Sequence, residues 1–375
     1  MDDSIFPARI PVTILTGFLG SGKTTLLNAI ISQNEGKKIA IIENEFGEIS
    51  IDSELVIAQN EGIFELSNGC ICCSLSGELS ETLDKIRENR SIQHLIIETT
   101  GIADPGPIAL SFISDFKIQS QFRLDAIVCL VDSRFIETQL ENQYEASKQI
   151  AMADIILLNK MDQVDDYQRD TIKNIVSKIN SQATVYESAF GKVDGINLLE
   201  INGFGAESVL MTKFEVDSSI AKTKKFSVNK EVEISTSLVS NQPKYVHKSG
   251  VSSVSFVFPE PLDVLKLDAW LNVMLNWGTG LFYRGKGILY VENFDKKVVF
   301  QSVLNQFVTE SGGEWGNEPK MTKIVFIGKY LDKVLLEAGL KSCIVNDIDA
   351  SSEDFFKAIM DMQDKLYDKM KSAIA

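Results

Sequence analysis

The residues with the most chemical potential in this sequence stand in short clusters, and the first is Gly17-Phe-Leu-Gly20-Ser21-Gly22-Lys23-Thr24-Thr25. It fits G-x-x-x-x-G-K-[ST], in which backbone N–H groups wrap nucleotide phosphates, the lysine reaches the β and γ oxygens, and the next hydroxyl joins a Mg²⁺ shell. Lys23 and Thr24 are expected in those roles, with Gly17, Gly20, Ser21, Gly22 and Thr25 shaping the cradle. A glycine-rich turn arising by chance predicts neither a strand before it nor a helix after it. Here Pro11 to Thr16 reads as a buried strand, and Thr25 to Ser32 carries apolar residues at helical spacing. The loop therefore opens a helix, whose exposed N–H groups and positive dipole end favour an anion.

Two further clusters suggest metal. Glu43-Asn-Glu45-Phe-Gly-Glu48 packs three carboxylates into six residues. Alone, such a cluster reads as a solvated turn. Beside a phosphate loop, carboxylates either repel the nucleotide or coordinate a cation. Further on, Gly69-Cys70-Ile-Cys72-Cys73-Ser74 holds three thiols. On a strand Cys70 and Cys72 would share one face and Cys73 the other, so convergence on one ion requires a loop, which Asn68-Gly69 permits. Leu75 to Arg87 reads as a helix capped by Ser74 or Ser76, and a helix start favours thiolate. Thiolates select Zn²⁺, Cu(I) or similarly soft ions. A closed zinc site or plain buried thiols are the structural alternatives. A closed site needs four ligands, usually in paired spacing, and no second Cys-x-x-Cys or His-x-His completes this trio. An open or shared site, completed by Glu43 or Glu48, fits better.

Glu98-Thr-Thr-Gly101-Ile-Ala-Asp104 follows an apolar strand. A carboxylate there contacts the Mg²⁺ shell or orients the attacking water, and the glycine lets its N–H approach the γ-phosphate, a capped loop being the plainer alternative. Asn159-Lys160-Met-Asp162 ends another strand. A carboxylate at this point can accept two N–H bonds from guanine, whereas adenine would leave it unpaired, so GTP is the expected nucleotide. Ser188-Ala189 is a loose candidate for the loop closing over the base.

The elements that must position these clusters are legible as apolar runs at Lys38–Glu43, His94–Glu98, Ala126–Val131 and Ile155–Asn159. Continuous rather than alternating hydrophobicity predicts an α/β domain with a mainly parallel sheet between helix layers, and ligands sit beyond the carboxyl ends of such strands. That domain is expected to fill residues 1–212, followed by a lysine-rich linker at 213–250. A smaller α+β domain at 251–345 is read from strands at Val251–Phe258, Arg284–Glu292, Lys297–Val303 and Thr322–Gly328, with a helix from Leu262 to Trp277 and one sheet face exposed. Arg284 and Lys286 read as surface charge, or as contacts to a partner or to the nucleotide domain. The tail at 346–375 carries Phe355, Phe356, Ile359, Met360, Met362, Leu366 and Met370 at helical spacing above an acidic face, which suits docking on the core better than a membrane.

A net charge of −15 argues against nucleic-acid and anionic-membrane partners. The first residues show no basic or apolar leader and no run of about 18 apolar residues occurs, so a cytoplasmic location is expected. Five cysteines, three of them clustered, do not form a disulfide framework; Cys129 and Cys343 sit in apolar, strand-like contexts and read as core.

The order Gly17–Thr24, Glu43–Glu48, Gly69–Cys73, Glu98–Gly101 and Asn159–Asp162, continued by Arg284-Gly-Lys-Gly287 and Val325–Gly328, closely resembles the CobW-type family of GTP-binding metallochaperones over nearly the whole chain. The resemblance implies a GTPase of the SIMIBI class that binds Zn²⁺, Co²⁺ or Ni²⁺ at the cysteine motif and hands it to a client metalloprotein. No arginine finger is evident, so acceleration of hydrolysis is expected from the client or from a homodimer partner. By position it implies Cys70, Cys72 and Cys73 as metal thiols, and Glu43 and Glu48 as switch carboxylates that share the metal. Many relatives carry a histidine-rich stretch, whereas this chain has only His94 and His247, which leaves single-ion delivery but not buffering of several ions. A phosphotransferase with structural cysteines and a regulatory switch that only senses metal are the competing classes.

Overall fold

The computed structural model describes residues 9–43, 63–65, 71–89, 91–189, 196–211, 250–278 and 280–345. The apolar runs become a seven-stranded sheet in the order β3-β2-β4-β1-β5-β6-β7, every described pair parallel. Its strands are β1 (Ile10–Gly17), β2 (Ile39–Glu43), β3 (Ile63–Glu65), β4 (His94–Glu98), β5 (Phe122–Asp132), β6 (Ile155–Asn159) and β7 (Thr184–Glu187). The helices of this half are α1 (Lys23–Gln33), α2 (Ile71–Glu88), α3 (Gly106–Ser114), α4 (Phe116–Gln119), α5 (Ile136–Asn142), α6 (Tyr144–Met152), α7 (Asp166–Ile179) and α8 (Ala206–Met211). Residues of β1 and β5 are buried on both faces, as continuous hydrophobicity requires: Val12, Ile14 and Ile127 pack into one cluster and Leu15, Leu26 and Val128 into another. β1 lies centrally, with β4, β2 and β3 filling one side before the chain crosses to β5, so the loop after β1 opens at the point where strand order reverses.

The second sheet is antiparallel, ordered β11-β10-β9-β12-β8, from β8 (Val251–Phe258), β9 (Leu281–Leu289), β10 (Lys296–Val303), β11 (Gln306–Glu314) and β12 (Thr322–Lys329). α9 (Val264–Trp277), capped by the Asp263 side chain, and α10 (Lys333–Ser342) cover one face around Trp270, Leu271 and Phe326. Its other face is not exposed as the sequence suggested. Tyr283, Val303, Val325 and Ile327 join the core of the parallel-sheet half through Ala146, Ile150 and Met152 of α6. β9 carries this difference, since residues 282 to 289 are all buried and its charged residues lie inside a domain interface.

Two local readings also change. Cys343 belongs to no strand but caps the end of α10; it is buried, and burial pushes its thiol up to about 12, as it does that of Cys129 in β5. α2 begins at Ile71 rather than at Ser74 or Ser76, because neither proline nor glycine interrupts Ile71 to Ser76. Cys72 and Cys73 are therefore on its first turn, so the departure from strand geometry that convergence of the thiols requires is supplied by a helix start rather than by a loop. β11 escaped sequence reading because Gln306-Phe-Val-Thr-Glu-Ser-Gly-Gly-Glu314 is a polar, half-exposed edge.

Candidate functional site

The phosphate loop is built by glycines in conformations that side chains resist. Gly20 and Gly22 have φ of 74° and 104°. A Cβ on Gly22 would lie 2.6 Å from Asn159 Nδ2, and one on Gly17 would lie 2.3 Å from the Leu130 carbonyl. Gly22 is the residue before α1, so the free N–H groups of its first turn face the loop. Lys23 Nζ donates to Gly17 O at 3.1 Å, which holds the ammonium across the loop's mouth. Ser21 is buried, and its Oγ has no hydrogen-bond partner among the described residues. A cradle that a Cβ would fill, with an orphaned hydroxyl inside it, suits phosphate oxygens.

The Glu98–Gly101 segment lies against this loop. Thr99 N donates to Leu15 O at 2.9 Å, and a Cβ on Gly101 would stand 2.5 Å from Leu19 N, so only glycine permits this approach. Gln149 Nε2 of α6 donates to Gly101 O at 3.2 Å and Ala103 O at 3.0 Å, while Lys148 of the same helix pairs with Asp104. Lys148 Nζ also lies 5.2 Å from the ring centre of Tyr283 in β9, whose hydroxyl contacts that of Tyr144. α6 thus touches the Glu98–Asp104 segment with one side and the second domain with the other.

On the opposite side of β1, Asn159 Nδ2 donates to Ser21 O at 2.8 Å and Ser188 Oγ donates to Asn159 Oδ1 at 3.1 Å. Lys160, with φ of 61°, extends its ammonium to Gly20 O at 2.6 Å and Asp132 Oδ2 at 2.8 Å. Asp162 stands exposed in the short 3₁₀ turn that follows. Asp132, the last residue of β5 and the register partner of Asn159, also accepts from Arg134 Nε at 3.0 Å and Nη2 at 2.8 Å. Burial raises its carboxyl, but the bonds from Arg134 and Lys160 outweigh this and hold it below the usual carboxylate range. Sequence reading passed over Asp132. The available signal was its place at the end of an apolar strand, the criterion that singled out Glu98 and Asn159.

Glu43 and Glu98 end neighbouring strands as direct register partners, and Glu65, overlooked in the sequence, extends the row on β3 as the partner of Glu43. Glu43 is buried and Glu98 half-buried. The row starts one strand from the phosphate loop and ends on β3, six residues before α2 and its Cys72 and Cys73 begin. Cys70 and Glu48 lie outside the described residues, as do the linker from 213 to 249 and the tail from 346. Among the described residues no group of three His, Cys, Asp or Glu is placed to hold a metal ion. Thr24 on the first turn of α1 and Glu98 at the end of β4 each offer the hard oxygen donor that Mg²⁺ requires.

Arg284 and Lys286 are not surface charges. Both are buried, and both reach Asp154 Oδ1 of the parallel-sheet half, at 2.7 Å and 2.8 Å. Arg284 stacks 4.1 Å from the centre of the Phe204 ring, and Lys286 donates to Gly203 O at 3.2 Å. Of the sequence alternatives, contact with the nucleotide domain is the one observed.

Residues 11–187 match the model of the CobW/HypB/UreG nucleotide-binding domain, and residues 251–344 match that of the cobalamin synthesis protein cobW C-terminal domain. The chain is a member of the CobW family of P-loop GTPases. It is 32% identical over 338 residues to the zinc chaperone YjiA of Escherichia coli, covering 88% of this chain and 97% of that protein. It is 29% identical over 374 residues to the zinc-regulated GTPase metalloprotein activator 1 of Saccharomyces cerevisiae, covering 90% and 84%. The crystal structure of Zn(II)-bound YjiA GTPase superposes on 90% of the chain and 100% of its own, with a TM-score of 0.64 at 29% identity. Among the described residues of this CobW-family chain, no helix is long and apolar enough to cross a membrane.

Proposed function

We propose that this CobW-family GTPase is a cytoplasmic metallochaperone that binds one zinc ion through Cys70, Cys72 and Cys73 and releases it to a client metalloprotein when GTP is hydrolysed. The supporting observation is the register row Glu98–Glu43–Glu65, which runs from the strand beside the phosphate loop to the strand that feeds the start of α2. In this reading nucleotide and thiols share one end of one sheet.

In this reading the backbone from Gly17 to Thr25 and the Lys23 ammonium hold the β and γ phosphates. Thr24 and Glu98 would hold Mg²⁺, which would supply charge neutralisation at the phosphates. Asn159 fixes the loop through Ser21 O, Lys160 walls the base pocket, and Asp162 accepts from guanine. Gly101 offers its N–H to the γ-phosphate. The segment it belongs to is fastened to α6, so its movement on hydrolysis reaches the second domain through Lys148 and Tyr283 as well as the carboxylate row. Glu43 and Glu48 share the ion with the thiols, and Co²⁺ or Ni²⁺ are the competing cargo. Turnover by the chain alone is expected on the order of 10⁻² s⁻¹ or less, with the client or a second copy accelerating it.

Cys72→Ser and the unaltered protein, each titrated in a zinc competition assay with a GTP analogue and with GDP, test the coupling. The unaltered protein should hold zinc differently in the two nucleotide states, and Cys72→Ser should hold it weakly in both. Equal affinity in all four combinations removes the coupling. Zinc that stays on the protein after client contact and hydrolysis favours a sensing switch over delivery.

A further inference from the structure

Lys160 is held in a backbone conformation that costs a non-glycine residue free energy, with φ of 61°, so its side chain must be fixed by something else. Two acceptors do this: Gly20 O in the phosphate loop at 2.6 Å and Asp132 Oδ2 at 2.8 Å. Asp132 in turn is clamped by Arg134, which donates to both carboxylate oxygens and sends Nη1 to Gln163 Oε1 at 3.0 Å, one residue beyond Asp162. The carboxylate thus stands between the base-facing turn and the phosphate loop, tied to both through one ammonium.

We propose that Asp132 is a positioning residue for guanine-nucleotide binding, which pins Lys160 across the phosphate loop so that base recognition and phosphate binding are made by one preorganised surface. It rests on the base-pocket role given above to Asn159–Asp162. The simpler role for Asp132 is turn capping, since its Oδ1 also accepts from Arg134 N at 3.1 Å. Asp132→Asn separates the two, because an amide oxygen can still cap the turn while the charge facing Lys160 is gone.

The decisive experiment measures GTP and GDP dissociation constants, steady-state hydrolysis and thermal melting for D132N, K160M and the double variant D132N/K160M. Each single variant should weaken both nucleotides by about tenfold, the loss expected for a charge-assisted bond. KM should rise while kcat at saturating GTP changes by less than about twofold, the pattern of an interaction made equally in ground and transition states. The double variant should bind no worse than either single one, since both remove the same link. Additive losses, or a D132N protein that binds within about twofold of the unaltered one, overturn the proposal, whatever happens to melting. D132S, whose hydroxyl also caps the turn, carries the same test if D132N does not fold. D162A reports separately on the base-pocket reading: an unchanged preference for GTP over ATP in D162A sinks that reading, and the coupling between Asp132 and Lys160 is still measured.

Discussion

Asp132 and Asp154 lie at opposite ends of the same strand pair, and each carboxylate holds two cations. At the nucleotide end the cations are partly wet, with Arg134 34% and Lys160 23% exposed. At the domain interface Arg284 is 1% and Lys286 3% exposed. Burial raises the Asp154 carboxyl, but the two cations outweigh it and hold it low; burial pulls Lys286 down. The same three-group arrangement therefore has two uses. Where water reaches it, moving a cation is cheap and the group can serve ligand binding. Where water does not, each charge depends on the others, and the group fixes how two domains meet.

The comparison breaks most visibly at Asp154. D154A would strand two cations in a dry interface, and denaturant unfolding should show a loss of about 3–5 kcal/mol. A loss below about 1 kcal/mol would mean that water enters the interface. Lys23→Met should do the reverse: nucleotide affinity falls roughly 10²–10³-fold for loss of one charged partner, while the melting temperature stays within a degree or two of the unaltered protein. Equal effects on stability and affinity would erase the distinction between the two ends.

His94 sharpens the contrast from a third direction. It is fully buried, accompanied by Thr13 Oγ1 at 2.9 Å, and desolvation pulls its pKa down to about 4 against a weaker opposing pull from Glu200. Without a close counter-charge, a buried ionisable group stays neutral. Because the unfolded chain takes up the imidazole proton near pH 6.5 and the folded chain only near 4, the full stability is present above 6.5 and declines as pH falls between these values. The loss attributable to His94 is roughly 3 kcal/mol at its lower end. H94Q should flatten stability over that window. The Asp154 cluster, whose carboxyl titrates below its unfolded value, should lose its contribution only at still lower pH. An unchanged pH profile in H94Q would show that the imidazole is not the group titrating.

Most of the candidate site was legible as a cluster because its residues are strand-end polar groups after apolar runs. Gly17–Thr24, Glu98, Gly101 and Asn159–Asp162 all fall at the carboxyl ends of parallel strands, where neither hydrophobic pattern nor helix geometry needs a polar residue. Arg284 and Lys286 defeated the same approach. In Tyr283-Arg-Gly-Lys-Gly287 the charges alternate with glycines, the signature of a solvent face, and only the docking of α6 and residues 203–204 against β9 turns that face inward. Glu65 was hidden because β3 is too short to show a hydrophobic period.

The amino-acid sequence by itself determined the parallel sheet, the phosphate cradle and the candidate base turn, because each depends on local chemistry: apolar runs, glycine torsions and the spacing of a few polar side chains. Tertiary structure alone decided which carboxylate meets which cation, since Asp154 and Arg284 stand 130 residues apart and Asp132 and Lys160 stand 28 apart. Long-range ion pairs leave no periodic trace in the chain. They are fixed only when packed layers bring the charges out of water together.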